Sequence, residues 1–285
     1  MKKLISGKVR DVYEVSDDKL VIVTTDRISA FDVILAKPIR GKGKVLSAAS
    51  LFWFDYTKDI IPNHIISSDL KDMPAFFQTS EYEGRTLLVK KLKMIPFECV
   101  VRGYIFGHMW EAYQAEKPFC GRKIIGNYKL AGKLPIPLFT PSTKAKVDEY
   151  TSFQLFTEAL GSQLANQIKE VSLNLYAACY KYAYGRGLIV ADTKFEFGLD
   201  ENNNLILADE IFTPDSSRVW SFSKYQEGIS PESYDKQLIR DWLQNNKKCG
   251  KMQFDRIPDE IIHKTSNIYS NYLKIVTSQG DDHVG

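Results

Sequence analysis

Residues 188–210 constrain the fold of this chain more than any other stretch. Leu188-Ile189-Val190-Ala191 is an unbroken apolar run. It passes directly into Asp192-Thr193-Lys194-Phe195-Glu196-Phe197-Gly198, which alternates polar with apolar. Successive side chains of a strand point to opposite faces, so Asp192, Lys194 and Glu196 share one face and Thr193, Phe195 and Phe197 the other. Asp200-Glu201-Asn202-Asn203-Asn204 is a turn signal, and residues 205–210 read as a second strand. Centring the hairpin between Asn202 and Asn203 sets Glu196 opposite Asp209, about 5 Å apart. Facing carboxylates repel unless a proton or a cation intervenes. A Mg²⁺ held by one or two carboxylates and nucleotide phosphates is a usual solution, and Lys194 on the same face can neutralise a substrate anion. A solvated polar face on an ordinary hairpin explains the same pattern, and a register shift of one residue separates the pair.

Other segments carry weaker signals. Ser6-Gly7-Lys8-Val9-Arg10 combines a small residue and a glycine with two cations, which suits a phosphate. It is neither a Walker A loop nor a dinucleotide fingerprint, and a surface turn accounts for it. Arg40-Gly41-Lys42-Gly43-Lys44 is similar. Residues 25–32 set Asp26, Arg27, Ser29 and Asp32 at a strand-to-loop junction, where Asx-turns and caps are the plain alternative. Residues 139–144 (Phe-Thr-Pro-Ser-Thr-Lys) are rich in hydroxyls and read as a loop. Residues 213–220 hold Asp215, Ser217 and Arg218, whose guanidinium fork suits phosphate or carboxylate.

The remainder sets the class. Residues 9–15 and 20–24 form a strand pair around a turn at 16–19. Residues 86–91 and 97–104 are strand-like, with a break at Pro96. Residues 105–150 are punctuated by proline and glycine and read as loop-rich. Leu164, Ile168, Val171, Leu175, Ala178 and Tyr182 mark one face of a helix, which Gly185 and Gly187 stop. A last helix starts near Pro258, with Ile262, Tyr269, Tyr272 and Val276 on its apolar face, and residues 278–285 read as a frayed end. This partial segregation predicts α+β, with lobes at residues 1–93 and 94–285.

The 285 residues are enough to bury roughly three quarters of the unfolded surface without staples. A balance of 38 Lys+Arg against 35 Asp+Glu argues against a nucleic-acid coat protein but hides any local basic cluster. Scattered Cys99, Cys120, Cys179 and Cys249 suggest reduced thiols in a cytoplasmic protein. No leader or membrane-spanning stretch is expected.

Taken in order, these blocks resemble one family. They are residues 7–13 (GKVRDVY), 25–32, 90–103 (KKLKMIPFECVVRG), 139–145 (FTPSTKA), 191–198 (ADTKFEFG), 209–220 (DEIFTPDSSRVW) and 233–243 (SYDKQLIRDWL). The family is phosphoribosylaminoimidazole-succinocarboxamide synthase, or SAICAR synthetase, and the likeness runs from about residue 4 to 245. It implies a two-lobed α+β fold, with a kinase-like antiparallel β lobe and ATP between the lobes. It implies a ligase that joins L-aspartate to carboxyaminoimidazole ribotide (CAIR) with ATP and Mg²⁺, and it leaves a homodimer open. A kinase that stops at the phosphorylated product shares the ATP and metal parts. An RNA-binding module predicts a basic stripe without paired carboxylates.

By motif position the resemblance implies these roles. Gly7, Lys8 and Arg10 cover the ATP phosphates, with Val9 and Val12 against the adenine. Lys90 contacts phosphate, and Met94, Ile95 and Phe97 belong to the adenine hinge. Glu196 and Asp209 hold Mg²⁺. Ser29, Asp32, Arg102, Lys194, Asp215, Ser217 and Arg218 surround the ribotide, and Lys194, Asp215 and Arg218 are the catalytic set. Thr140, Ser142, Thr143 and Lys144 take the aspartate side. The chain departs from the family pattern twice. His108 stands where a phosphate-binding Ser is common, and Val147 stands where many relatives carry His.

Overall fold

A computed structural model of the chain describes residues 1–31, 33–144 and 149–278. The chain begins with β1 (Lys2–Ser6), β2 (Arg10–Glu14) and β3 (Lys19–Thr24). Short β4 (Ser29–Ala30) and β5 (Val33–Ile34) form a two-stranded sheet ahead of helix α1 (Lys42–Tyr56). With β6 (Ile65–Ser67) and β7 (Thr86–Lys90), the first three strands build an antiparallel sheet in the order β1-β2-β3-β7-β6.

The second sheet takes over two residues later. It contains β8 (Lys93–Met94), β9 (Phe97–Tyr104), β10 (Lys133–Thr143), β11 (Leu188–Leu199), β12 (Leu205–Ala208) and β13 (Ser217–Ser221). Its order is β10-β9-β11-β12, and β8 and β13 also pair with β11. Four partners along one strand explain why β11 is long and almost wholly buried. The helices that follow α1 are α2 (His108–Gln114), α3 (Phe153–Leu160), α4 (Ser162–Tyr184), α5 (Gln237–Asn245) and α6 (Asp259–Thr277).

The apolar face of β11 anchors the main core. Phe195 and Phe197 pack there with Ile168, Leu175 and Cys179 of α4, with Trp53 of α1, and with Phe212 and Tyr272. The α4 stripe is centred about one residue on from the expected one, on Ala165, Ile168, Ser172, Leu175, Tyr176, Cys179 and Ala183. A second cluster joins Ile28, Leu35 and Ile39 to Ile239, Leu243 and Ile257. Helix α1 lies against α6. Ile28, Leu35, Ile39 and α1 therefore pack with the C-terminal helices, although they precede the last strand of the first sheet.

The loop-rich reading of residues 105–150 is corrected by α2 and by the eleven-residue β10. Proline suggested a loop, but β10 is an edge strand, where a missing N–H is tolerated. Pro135 and Pro137 fall in the stretch where its register with β9 slips, between Lys133 and Leu138. The expected frayed end lies mostly outside the described residues.

The 40–44 segment is a helix start. Asp26 accepts from Gly41 N–H at 3.0 Å and Gly43 N–H at 2.9 Å, so a side chain already occupies the amides an anion would use. Gly43 also lets α1 touch β3, because a Cβ there would stand 2.4 Å from the Thr24 carbonyl oxygen. Gly43→Ala is expected to lower the unfolding free energy by about 1–3 kcal/mol, read from urea midpoints. An unchanged midpoint would refute this close approach.

Candidate active site

The Gly7-Lys8 turn is tightly braced. Gly7 N–H donates to the Arg10 carbonyl at 2.7 Å, and the Thr25 N–H and hydroxyl reach the Val9 carbonyl at 2.9 and 2.8 Å. Arg27 ties the turn down through the Gly7 carbonyl at 3.0 Å and Asp11 Oδ1 at 2.6 Å. The braced turn walls a cavity of about 530 Å³. Gly7, Lys8, Val9, Arg10 and Val12 line one side, Lys90 and Met94 another, and Ser29 also reaches it. Ile5, Leu20, Ile22, Val89 and Leu92 complete an apolar slot between the two sides. Such a slot suits a flat ring, and the cations beside it suit phosphate. Ile95 and Phe97 do not line the cavity. Both lie in the main core, where Phe97 meets Phe156 at 4.9 Å, so of the three expected hinge residues Met94 alone lines the cavity. Alternation along the strand turns those two inward.

Charge gathers on the cavity floor. The expected register fails by one, since Glu196 pairs with Ala208 and the hairpin is centred on Asn202. Asp209 lies just past β12 with φ 62°, a left-handed conformation that Asp tolerates better than most residues. Its carboxylate still arrives at the floor, because this twist takes it out of the strand's alternation. Lys194 Nζ lies 2.6 Å from Glu196 Oε1, 2.9 Å from Glu98 Oε1 and 4.0 Å from Asp209 Oδ2. The two carboxylates thus meet around a lysine rather than across a ladder. Lys144 Nζ also bonds Glu196, and Arg10 bridges Asp209 at 2.7 Å and Glu210 at 2.6 Å.

These neighbours divide the titrations. Burial would raise the Glu196 carboxyl, but Lys194 and Lys144 outweigh it and hold the group at about 2. For Asp209 burial wins, Arg10 offsets it only in part, and the Glu196 charge adds to it, so that carboxyl is pushed up to about 6. Burial lowers the Lys236 ammonium to about 8 against the pull of Asp215. His64 is driven down to about 3 by burial and by Arg10, so it stands neutral in the cavity wall.

A second, more polar cavity of about 190 Å³ adjoins the first, and Lys194 and Asp215 line both. Asp192 Oδ2 receives Arg102 Nη1 at 2.6 Å and Arg218 Nη1 at 2.5 Å. Burial opposes the Asp192 charge, but the two guanidiniums overcome it and lower the carboxyl below its usual range. Arg240 lines the same cavity, so three guanidiniums and Lys194 share it with the carboxylates of Asp192, Glu98 and Asp215. Arg218 Nε is buried without a hydrogen-bond partner among the described residues. Gly107, at φ 57°, admits this arginine, since a Cβ there would stand 2.8 Å from Arg218 Nη2. Ser217 lines the cavity and bonds Thr193 at 2.8 Å.

The 139–144 segment is mostly strand rather than loop. Thr140 Oγ1 accepts from Arg102 Nε at 3.1 Å, and Ser142 Oγ donates to Glu98 at 3.5 Å; both are buried. Thr143 Oγ1 accepts from Glu149 N–H. Of these residues only Lys144 lines either of the two adjoining cavities. His108 lines neither and bonds Tyr150 Oη through Nδ1 at 2.8 Å, while burial, with Arg218 and Arg102 adding to it, lowers its pKa. Asp32 and Val147 lie outside the described residues.

Sequence reasoning missed several lining residues. Lys236 and Arg240 sit in the 233–243 motif, to which no role was attached, and Glu210 adjoins Asp209. Asp192 was placed on the charged face but given no partner. Glu98 sits in the 90–103 motif but was given no role, and His64 had no local signal, because only strand pairing brings it in.

Residues 3–257 match the sequence model of a family described as SAICAR synthetase. The chain is similar to phosphoribosylaminoimidazole-succinocarboxamide synthase of Lachnospira eligens, 48% identical over 97% of this chain and 95% of that protein. It is 45% identical to the protein of the same description from Chromobacterium violaceum, over 96% of this chain and 98% of the relative. Among solved structures it resembles SAICAR synthase from Saccharomyces cerevisiae complexed with SAICAR. There the TM-score is 0.89 and the identity 40%, covering 98% of this chain and 96% of that one.

A carboxyl held below its unfolded value stabilises the fold above about pH 4 and loses that contribution as pH falls. Wild-type protein is therefore expected to lose melting temperature between about pH 5 and pH 3 more steeply than Asp192→Asn. Parallel curves would show that Asp192 is not held ionised by its arginines.

Proposed function

This chain belongs to the SAICAR synthetase family, and on that premise we propose how its two cavities divide the family's reaction. The enzyme is an ATP-dependent carbon–nitrogen ligase of purine biosynthesis. It joins L-aspartate to the carboxylate of CAIR and yields SAICAR, ADP and phosphate. In our reading ATP takes the larger cavity, with adenine in the apolar slot and phosphates beside Lys8, Arg10 and Lys90. CAIR takes the arginine cavity, with Arg102 and Arg218 on its phosphate. The observation that carries this reading is the shared wall. Lys194 and Asp215 line both cavities, so a carboxylate entering from one side can meet a phosphoryl group entering from the other.

The chemistry explains the residue inventory. A carboxylate is a poor acyl donor until its oxygen attacks the γ-phosphorus and ADP leaves. The amine of aspartate then attacks the carboxyl carbon, phosphate departs, and the nitrogen gives up a proton. These steps call for positioning and charge neutralisation more than for a protein nucleophile. Lys194 stands where the two anions converge. On the aspartate side we retain Lys144, the member of the 140–144 segment that faces the site.

Among the described residues no group of three or more His, Cys, Asp or Glu side chains is arranged to hold a metal. Nucleotide-bound Mg²⁺ needs fewer, one or two carboxylates with phosphate oxygens. Glu196 and Asp209 fit that demand. They are oxygen donors, and both line the larger cavity beside the cations that suit phosphate. The ion, when bound, supplies charge neutralisation at the phosphates. The change of sheet at β8 supports lobes of residues 1–93 and 94–285 with ATP between them, although Ile28, Leu35, Ile39 and α1 pack with the C-terminal helices. No helix among the described residues is long and apolar enough to cross a membrane. The highly charged substrates support a cytoplasmic location.

With CAIR, ATP and Mg²⁺, ADP release is expected to depend on L-aspartate and to yield an amide. ADP release without aspartate would sink the ligase assignment in favour of a kinase. Asp209→Asn and Glu196→Gln are each expected to lower kcat about 100-fold or more with the fold intact, Glu196→Gln at a lower melting temperature because Lys194 and Lys144 lose their partner. Wild-type turnover of both at limiting Mg²⁺ would remove the metal role. His108→Ser is expected to keep near-wild-type kcat, and a collapse would give His108 a role of its own.

A further inference from the structure

Helix α6 begins at Asp259, beyond the 3–257 region that matches the family, and the sequence motifs assign it no role. Two of its tyrosines nevertheless grip the loop at residues 212–217, which joins the metal-side carboxylates to β13. Tyr272 Oη donates to the Phe212 carbonyl and accepts from Trp53 Nε1 at 2.9 Å. Tyr269 Oη donates to Asp215 Oδ1 at 2.6 Å. Both tyrosines are almost wholly buried.

Asp215 is the residue on which this grip converges. Its other oxygen, Oδ2, lies 2.7 Å from Lys42 Nζ, and Lys42 also donates to the Arg27 carbonyl at 2.9 Å. Lys42 and Asp215 are both buried, so each charge depends on the other. A carboxylate has about four lone-pair sites. The tyrosine and the lysine hold the two oxygens where Asp215 lines both cavities.

We infer that α6 is a working part of the active site, with Tyr269 as a positioning residue that, together with Lys42, aims Asp215 at the hydroxyl or amino hydrogens of the ribotide. This inference rests on the reading of the two cavities above. A free carboxylate swings about χ1 and χ2, and only a fraction of its rotamers face the cavities. Clamping both oxygens from opposite sides removes that freedom before substrate arrives, which is how groups outside the reacting shell raise the rate. The positioning depends on the tyrosine hydroxyl, whereas the ring serves the packing of α6.

Tyr269→Phe separates the two. It keeps the ring and is expected to fold, and assays are run well below its measured melting temperature. A charge-assisted hydrogen bond of this kind supports a fall of about tenfold or more in kcat/KM for CAIR. In an Asp215→Asn background the same change is expected to cost less than about twofold, because non-additivity marks residues that act through each other. Tyr182→Phe is the structural control. Its hydroxyl bonds the Val276 carbonyl of α6 at 2.9 Å, away from the loop. It is expected to lower the melting temperature while leaving kcat/KM unchanged. Wild-type kcat/KM in Tyr269→Phe, an equal loss in the Asp215→Asn background, or an equal loss in Tyr182→Phe would each overturn the proposal. Failure of the cavity reading itself would show separately, as absent aspartate-dependent ADP release by the unaltered protein.

Discussion

Desolvated charge is the constraint on which the rest of this structure depends. Asp192, Glu196 and Glu210 are buried, as is the side chain of Asp215, and moving an ion out of water costs several kcal/mol unless it is paired. Each has found a cation: Asp192 has two arginines, Glu196 two lysines, Glu210 Arg10, and Asp215 Lys42. The partners come from β2, α1, β9, β13, β11 itself and the residue after β10, so the pairing ties distant parts of the chain to one region. The apolar face of β11 supplies the burial energy, and its opposite face spends some of it holding charge.

The same pairing explains how the site can handle anions. A guanidinium or ammonium balanced by a carboxylate is fixed in place before a ligand binds, so little reorganisation remains. Where balance is incomplete, the groups show it. Asp209 keeps a raised carboxyl, Arg218 keeps a buried Nε without a partner among the described residues, and Lys236 has a lowered ammonium. These three border the two cavities and mark where a ligand's charge would complete the set.

Much of this was legible in the sequence, for reasons that differ by element. The alternation from Asp192 to Phe197 announced β11 and its two faces, because period-two patterning is set by backbone geometry. Local braces such as the Gly7 turn were visible as motifs. The register of the hairpin was not, because one left-handed residue, Asp209, overrides the ladder count. The prolines of β10 suggested a loop, since nothing in the sequence says which strand will lie at an edge. Lys42 looked like one more surface cation, and its burial against Asp215 depends on α1 docking beside α6. Long-range pairing of this sort leaves no periodic trace.

One strand carries charge for both cavities. Asp192 serves the arginine cluster and Glu196 the lysine cluster, and four residues of extended chain separate them by about 13 Å. β11 is hydrogen-bonded on both sides and packed beneath, so that interval cannot stretch. The strand acts as a ruler. It fixes how far apart the charges that line the two cavities lie, before any ligand arrives.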